Sequence, residues 1–493
     1  MSNPQSSADG NACHAAMAVR GWPSASTSAI GGWMAVQATD LQGRFDGDVL
    51  SPEDRGYEDA RAIFNSMIER QPTLIAQCAT VEDVRTALAF AREQRLEVSI
   101  RSGGHSVAGA SLTDGGMVID MRRLNAVSVD PEARTATVAG GAVWADVDRA
   151  CQPHGLFTVG GRVSTTGVAG LTLGGGSGWF ERLHGLACDS LISVDLIAAD
   201  GRLVHASEDE NPELFWALHG GGGNFGIAVE LKFALHELPA ATLGLLLWPA
   251  ERGAEIVRAY RDLIDAGAPE ELGGGALYIT GPPEEFVPEE LQGQLVCGVA
   301  VVYAGTPQEA AEAVAPLLEL NPAGLPLTEM PYAEIQSALD DPPGYRNYWS
   351  VEHANSLPDE AIDCFCERAH DMVVPSPSQH ILFPWGGAVQ RQGSQWPLPH
   401  RGAKWAVHPL GLWEDAVDDA QAIAWARDTC SDFEPWATGD VYLNFVGDEG
   451  QDRVVAGFGE DNYRRMAAVK AQFDPDNVFR LGHNVTPAAA SKG

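Results

Sequence analysis

The chain has 493 residues, 45% of them hydrophobic, with 67 acidic residues against 32 Lys and Arg and a formal net charge of -35 at pH 7. That is enough for more than one core, since single cores stop growing at roughly 250–300 residues. The acidic excess excludes nucleic acid and anionic membrane surfaces, both of which need clustered Lys and Arg, and reads as solubility or as a field that draws cationic substrates.

Residues 1–49 read as a loosely structured N-terminal extension with room for one helix. "YEDARAIFNSMIERQPTLIAQCAT" reads as a helix and then a strand, "VEDVRTALAFAREQRL" as an amphipathic helix, and "EVSIRSGG" as a strand running into a loop. "GMVIDMRRLNAVSVDPEARTATVAGG" predicts successive strands, the last two joined at Asp130-Pro131. "AVWADVDRACQPHG" is a helix closed by Gly155. "ISVDLIAADGRLVHAS" is a hairpin turning at Asp200-Gly201. "NPELFWALHGGGGNFGIAVELKFALHEL" is a short helix, a glycine run and a strand. Beyond about residue 243, helices such as "RGAEIVRAYRDLIDAG" and "QEAAEAVAPLLEL" alternate with strands such as "QLVCGVAVVYAG". The Pro/Gly-rich stretches 276–284 and 375–402 read as loops, and the tail from "DVYLNF" as a strand, a helix and a terminal loop. The class is α+β.

Eight cysteines (Cys13, Cys78, Cys151, Cys188, Cys297, Cys364, Cys366 and Cys430) lack zinc-ligand spacing and are expected as reduced thiols. The histidines are dispersed, without HExxH or paired spacing, so no metal is expected. No apolar run approaches a membrane span, and the first forty residues lack a basic segment followed by an apolar one. The expected location is the cytoplasm. The oligomeric state is not legible.

The glycine runs carry the chemistry. "GLTLGGGSG" is not a Walker loop, because no Gly-Lys-Ser/Thr follows, and it lacks the βαβ context of a dinucleotide fingerprint. Three separated segments nevertheless share a character. "IRSGGHSVAG" could wrap a diphosphate with successive backbone N–H groups. "TTGVAGLTLGGG" and "GGGNFGIAVEL" would bring two more stretches of bare backbone against the same flat ligand. Together they suit a large, planar, phosphate-bearing cofactor.

"RSGGHS", "TGVAGLTLGGGSGWFERLHGLACDSL", "LFWALHGGGGNFGIAVEL", "VYLNF" and "VKAQFDPDNVFRLGHNV", in this order, resemble the FAD-linked oxidases of the vanillyl-alcohol-oxidase/PCMH superfamily, in the berberine-bridge-enzyme-like branch. The resemblance covers most of residues 65–240 and the last fifty; the middle block is similar only in texture. It implies a two-domain PCMH-type FAD-binding fold with an antiparallel-sheet substrate domain. The FAD domain would span 50–242, the substrate domain 243–438, and 439–493 would complete the FAD domain.

By the same resemblance, His105 would be bonded covalently to the flavin's 8α-methyl carbon. Arg101, Ser102, Gly103, Gly104, Ser106, Thr165, Thr166, Gly167, Gly170, Gly175, Gly176, Gly226, Ile227, Val229, Asn444 and Asn484 would hold FAD with it. Many relatives carry a second link from a cysteine, where Val163 stands here, so one link is expected. Tyr442 would border the cofactor and act as catalytic base, without the motif's final tyrosine, which is Phe445 here. Tyr345, Tyr348, Trp349, His353, His380 and Trp385 are candidates for the substrate side, Tyr348 and His380 foremost.

The implied reaction is hydride transfer from a CH–OH or CH–NH substrate to the flavin, with O2 reduced to H2O2. Thr166, where relatives usually have an apolar residue, motivates the alternative of a flavin-dependent oxygenase or oxidative cyclase. A flavin-binding protein without turnover is the third reading. The partners would be a small-molecule substrate and O2.

Overall fold

The computed structural model describes residues 38–489 apart from position 339. The expected extension and Cys13 therefore lie largely outside the described residues. Ala38–Gln42 is a short helix, and Asp48–Leu50 is a strand at the edge of the first sheet.

That sheet has four strands in the order Asp48–Leu50, Leu74–Gln77, Met117–Asp120, Val98–Arg101, the last three mutually parallel. All of Met117–Asp120 is buried, as expected of a strand inside a parallel arrangement. The helix Val81–Gln94 begins where the Thr80 hydroxyl accepts from the Asp83 amide, while Asp83 accepts from the Thr80 amide. Its buried residues Val84, Ala87, Leu88 and Ala91 repeat at helical spacing. Val98–Arg101 then delivers the "SGGHS" loop at its carboxyl end.

The second sheet is antiparallel, in the order Val127–Asp130, Thr135–Ala139, Ile227–Ala234, Leu191–Ile197, Leu203–Ser207. Its central strand Ile227–Ala234 is entered directly from the glycine run at 220–223.

The third sheet is antiparallel and eight-stranded, with Leu272–Thr280, Gln379–Pro384 and Trp405–Trp413 adjacent near its centre. Its two faces have different neighbours. Leu246, Tyr278, Leu382, Trp405 and Val407 pack with residues of the helices Gly253–Asp265, Asp359–Ala369 and Asp419–Phe433. Leu277, Ile381, Phe383 and Ala406 join a core that also contains Trp144, Leu173, Phe225 and Tyr442. Side chains alternate along a strand. His408, two residues beyond Ala406 and paired with Ile381, therefore shares the face turned toward the glycine-rich segments.

Four local expectations are corrected. The stretch 276–284 is not all loop, because Leu272–Thr280 is a strand whose glycines accommodate neighbouring backbone. A Cβ at Gly274 would sit 1.9 Å from the Ala300 carbonyl oxygen. Likewise 375–402 contains the strand Gln379–Pro384, paired on both edges. "QEAAEAVAPLLEL" splits into Pro307–Ala313 and Ala315–Leu318, since Pro316 cannot donate the next helical hydrogen bond. "VYLNF" forms a 3-10 turn, Leu443–Phe445, because Asn444 donates to the Leu171 carbonyl at 3.0 Å rather than letting the segment join a sheet ladder.

A buried ion pair joins the loop at 399–402 to the segment after the long glycine run. Arg401 meets Asp189 at 2.5 Å, with 2% and 1% of the side chains exposed. Removing one partner strands the other charge away from water. Asp189→Ala is expected to lower unfolding free energy by about 3–5 kcal/mol, measured by denaturant titration against the unmutated protein.

Candidate cofactor and substrate site

A cavity of about 340 Å³ opens where these segments meet. Its walls come from Ser102–Val107, from residues between Gly161 and Gly174, from Gly220–Ala228, from Leu443–Val446 and from His483. The third sheet contributes Trp349, Phe383 and His408.

Two loops meet backbone to backbone. A Cβ at Gly103 would stand 2.2 Å from the Gly167 nitrogen, and one at Gly167 would stand 2.4 Å from the Gly103 nitrogen. No residue with a side chain fits either position. Gly104 has φ of 78°, in the left-handed region open to glycine. Among the described residues, the amides of Gly103, Gly104, His105 and Ser106 have no acceptor within the protein. Successive unpaired N–H groups around a left-handed glycine form a concavity for an anion, and so fit a diphosphate. Gly170, Gly222 and Gly223 have no atom within 4 Å of where a Cβ would lie, leaving room for a ligand over bare backbone.

His105 stacks on Phe64, with ring centroids 4.2 Å apart at 21°. Its Nε2 lies 2.9 Å from the Thr165 hydroxyl, and its Nδ1 has no partner among the described residues. Burial lowers its pKa to about 4, so the ring is neutral and nucleophilic at pH 7. Val163 lines the cavity and no cysteine does among the described residues; Cys151 and Cys188 are fully buried elsewhere.

Eleven of the anticipated residues line the cavity: Ser102, Gly103, Gly104, His105, Ser106, Thr166, Gly167, Gly170, Gly226, Ile227 and Asn444. The others do not. Arg101 is buried, its guanidinium donating to the carbonyls of Ala60 and Ala62, which braces the loop from behind. Thr165 stands behind His105 and holds its ring. Gly175 and Gly176 pack beside Tyr442 and Ala187, and Val229 is buried in the second sheet. Asn484 takes its contact from the Lys470 ammonium at 3.4 Å.

Tyr442, expected to border the cofactor, lies behind the cavity wall. It is fully buried. Its oxygen accepts from the Gly176 and Ser177 amides, both at 2.9 Å, and from the Asn444 amide at 3.0 Å. Burial pushes its pKa up to about 12. These bonds clamp the glycine turn to the Tyr442 phenol. Tyr348 is also displaced. It lines a separate pocket with Arg427, Glu449 and Arg453, and its hydroxyl accepts from Arg427 at 3.1 Å. His380 is buried against the helix Asp359–Ala369, its ring 3.0 Å from the Phe365 carbonyl. Of the six substrate-side candidates only Trp349 lines the cavity.

Two residues went unmarked in the sequence. His408 is 1% exposed and stacks on Phe445, centroids 4.2 Å apart at 13°. Its Nδ1 donates to the Ser350 carbonyl at 2.8 Å, and burial lowers its pKa to about 3. The legible signal was a lone titratable residue in a strand, "WAVHPLGLW", that is buried throughout. Arg162 pairs with Glu181 at 2.7 Å, donates to the Ser177 hydroxyl at 2.8 Å, and lies 3.9 Å over the Phe383 ring. Among the described residues lining the cavity there is no Asp, Glu, Lys or Tyr.

An anion nest, a neutral histidine and a bare glycine floor suit a flat, phosphate-bearing cofactor. Comparison with known proteins agrees. Residues 72–207 match the family described as FAD binding domain, and residues 441–486 the family described as berberine and berberine like. The (R)-6-hydroxynicotine oxidase of Paenarthrobacter nicotinovorans is 29% identical over 468 residues, 90% of this chain and 97% of that one. A crystal structure of 6-hydroxy-D-nicotine oxidase from Arthrobacter nicotinovorans superposes with a TM-score of 0.80 at 26% identity, covering 92% of this chain and 100% of that one. Glucooligosaccharide oxidase from Acremonium strictum, whose FAD is 6-S-cysteinyl and 8α-N1-histidyl, shares the fold with a TM-score of 0.79 at 22% identity, covering 92% and 100%. The chain thus carries an FAD-binding domain and a berberine-like C-terminal segment, and it is an FAD-dependent oxidoreductase.

The structural role of Tyr442 has a measurable consequence. Tyr442→Phe leaves the Gly176 and Ser177 amides buried without their acceptor. It is expected to cost about 1–3 kcal/mol of stability while leaving the pH dependence of turnover unchanged, read from melting curves and a pH–rate profile.

Proposed function

We propose that this chain is an oxidase that carries FAD on His105 alone, takes a hydride from a CH–OH or CH–NH substrate and passes the electrons to O2 as H2O2. The observation that carries this reading is the convergence of the nest, the bare-backbone segments and a neutral His105 on one cavity. Bound FAD would supply the hydride acceptor and the reaction with oxygen.

The chain's own part is positioning. The amides of Gly103–Ser106 would hold the diphosphate, and Gly167 and Gly170 would let the ring system lie on the main chain. Thr165 occupies His105 Nε2, which leaves Nδ1 to form the bond to the 8α carbon. Val163 in the wall and the absence of a lining cysteine among the described residues support a single link. Residues 50–242 and 439–493 would form the cofactor domain, with 243–438 closing the substrate side. The similarity to an oxidase of an amine-bearing substrate at 29% identity supports oxidase chemistry without fixing the substrate.

The link is tested by acid precipitation. Yellow colour should stay with the unmutated protein and pass into the supernatant from His105→Ala; free flavin from the unmutated protein would sink it. The reaction is tested by mixing anaerobically with candidate substrates. A true substrate should bleach the flavin band, and admitted air should restore it with one H2O2 formed per flavin.

A further inference from the structure

The support beneath His105 comes from far along the chain. Thr165 meets His105 Nε2, and Ser164 precedes it. Ser164 is 5% exposed, and each of its polar groups is bonded. Its carbonyl accepts from the Ala145 amide at 2.8 Å. Its amide and its hydroxyl donate to Asp340, one to each carboxylate oxygen, both at 2.5 Å. Asp340 lies just past the helix Tyr332–Ala338. That helix holds the same segment a second time, where Gln336 Nε2 donates to the Gly161 carbonyl at 2.8 Å. Two bonds to one carboxylate fix orientation as well as position.

The carboxylate is kept there against repulsion. Asp341 and Asp148 are buried nearby, Asp341 accepting from Gln379 at 2.6 Å and Asp148 from Gln336 at 3.3 Å. Burial, with the charge of Asp340 adding to it, pushes each of them up to about 7. A single neutral acceptor suffices for a hydroxyl alone. Receiving an amide and a hydroxyl side by side takes two oxygens, and a carboxylate offers both without a donor. Ser164 is thus held from both sides of its loop, and its peptide neighbour Thr165 is held with it.

We propose that Asp340 is a positioning residue for the attachment of flavin to His105, acting through Ser164 on the Thr165 hydroxyl. This rests on the flavin reading above and adds what selects the nitrogen that reacts. With Nε2–H donated to Thr165, the lone pair of the neutral ring lies on Nδ1. In attachment that pair forms the bond to the 8α carbon, and one 8α C–H bond breaks. The Nε2 proton leaves through the Thr165 hydroxyl, which accepts before the step and donates to Nε2 after it. The C–H electron pair stays in the flavin as a two-electron reduction. O2 then takes that pair, with the 8α and Nε2 protons, as H2O2. A Thr165 hydroxyl set free to drift leaves the proton on Nδ1 for part of the time, where it blocks the bond. A misplacement of about 1 Å can cost such a step on the order of a hundredfold.

The test reads attachment, not turnover. Full-length protein made in a riboflavin-starved host is mixed with saturating FAD in air. Acid-precipitated samples report the covalent flavin over time, and quenching of flavin fluorescence reports FAD affinity. Asp340→Asn removes one acceptor at constant size and also relieves the repulsion, so it is expected to fold, and melting curves check this. It should bind FAD within about threefold of the unmutated protein yet attach it roughly tenfold or more slowly. Thr165→Val should be as slow, and Thr165→Ser, which restores the hydroxyl, should recover most of the rate. Asp340→Asn added to Thr165→Val should slow it no further, because the two act in series. Folded Asp340→Asn attaching at the unmutated rate, FAD affinity falling as far as the rate, or slowing that multiplies in the double variant would each overturn the role of Asp340. Flavin left in the acid supernatant by the unmutated protein would instead refute the histidyl link itself, and the proposal with it.

Discussion

The constraint on which the site depends is a contact with no side chains in it. Gly103 and Gly167 lie against each other's main chain. That approach sets the "SGGHS" loop beside the long glycine segment and brings Thr165 within a hydrogen bond of His105. Neighbouring interactions brace it. Arg101 ties the loop to the carbonyls of Ala60 and Ala62, and Tyr442 secures the turn at Gly176 and Ser177. The side chains nearest the cofactor segments thus hold backbone in place, and backbone forms the ligand surface.

The opposite wall is built by a different principle. In the eight-stranded sheet, alternation turns Trp405 and Val407 toward helices and Ala406 and His408 to the opposite face, where His408 lines the cavity. His408 falls on the cavity face, where aromatic neighbours and the Ser350 carbonyl fix its ring and tautomer. The chain carries a net charge of -35, yet its described cavity lining contains one arginine, three histidines and no carboxylate. Local side chains, not the overall field, set what the cavity can bind, because interactions beyond roughly 10 Å are screened at ordinary salt.

Much of this was legible in the chain itself. The helix at Val81–Gln94, the hairpin at Asp200-Gly201 and the helix before Gly155 follow from local caps, periodicity and turn chemistry. The loop around His105 and the two other glycine-rich segments were legible because bare backbone needs glycine wherever it is used. That the Tyr442 hydroxyl turns into the glycine segment was not legible, because its motif says only that it lies near the cofactor segments. Arg162 passed as one residue of a glycine stretch, although its partner Glu181 is nineteen positions on.

The sequence by itself determined the character of the cofactor half: an α+β chain whose glycines suit a large, planar, phosphate-bearing cofactor. Those requirements are local, since a left-handed turn or a close backbone approach admits one residue type whatever surrounds it. Only the tertiary structure decided which polar atoms meet in the cavity. Ser177 and Phe383 come from segments about two hundred residues apart and meet at Arg162. His408 reaches the same wall through strand register, and no local pattern encodes a pairing made across that distance.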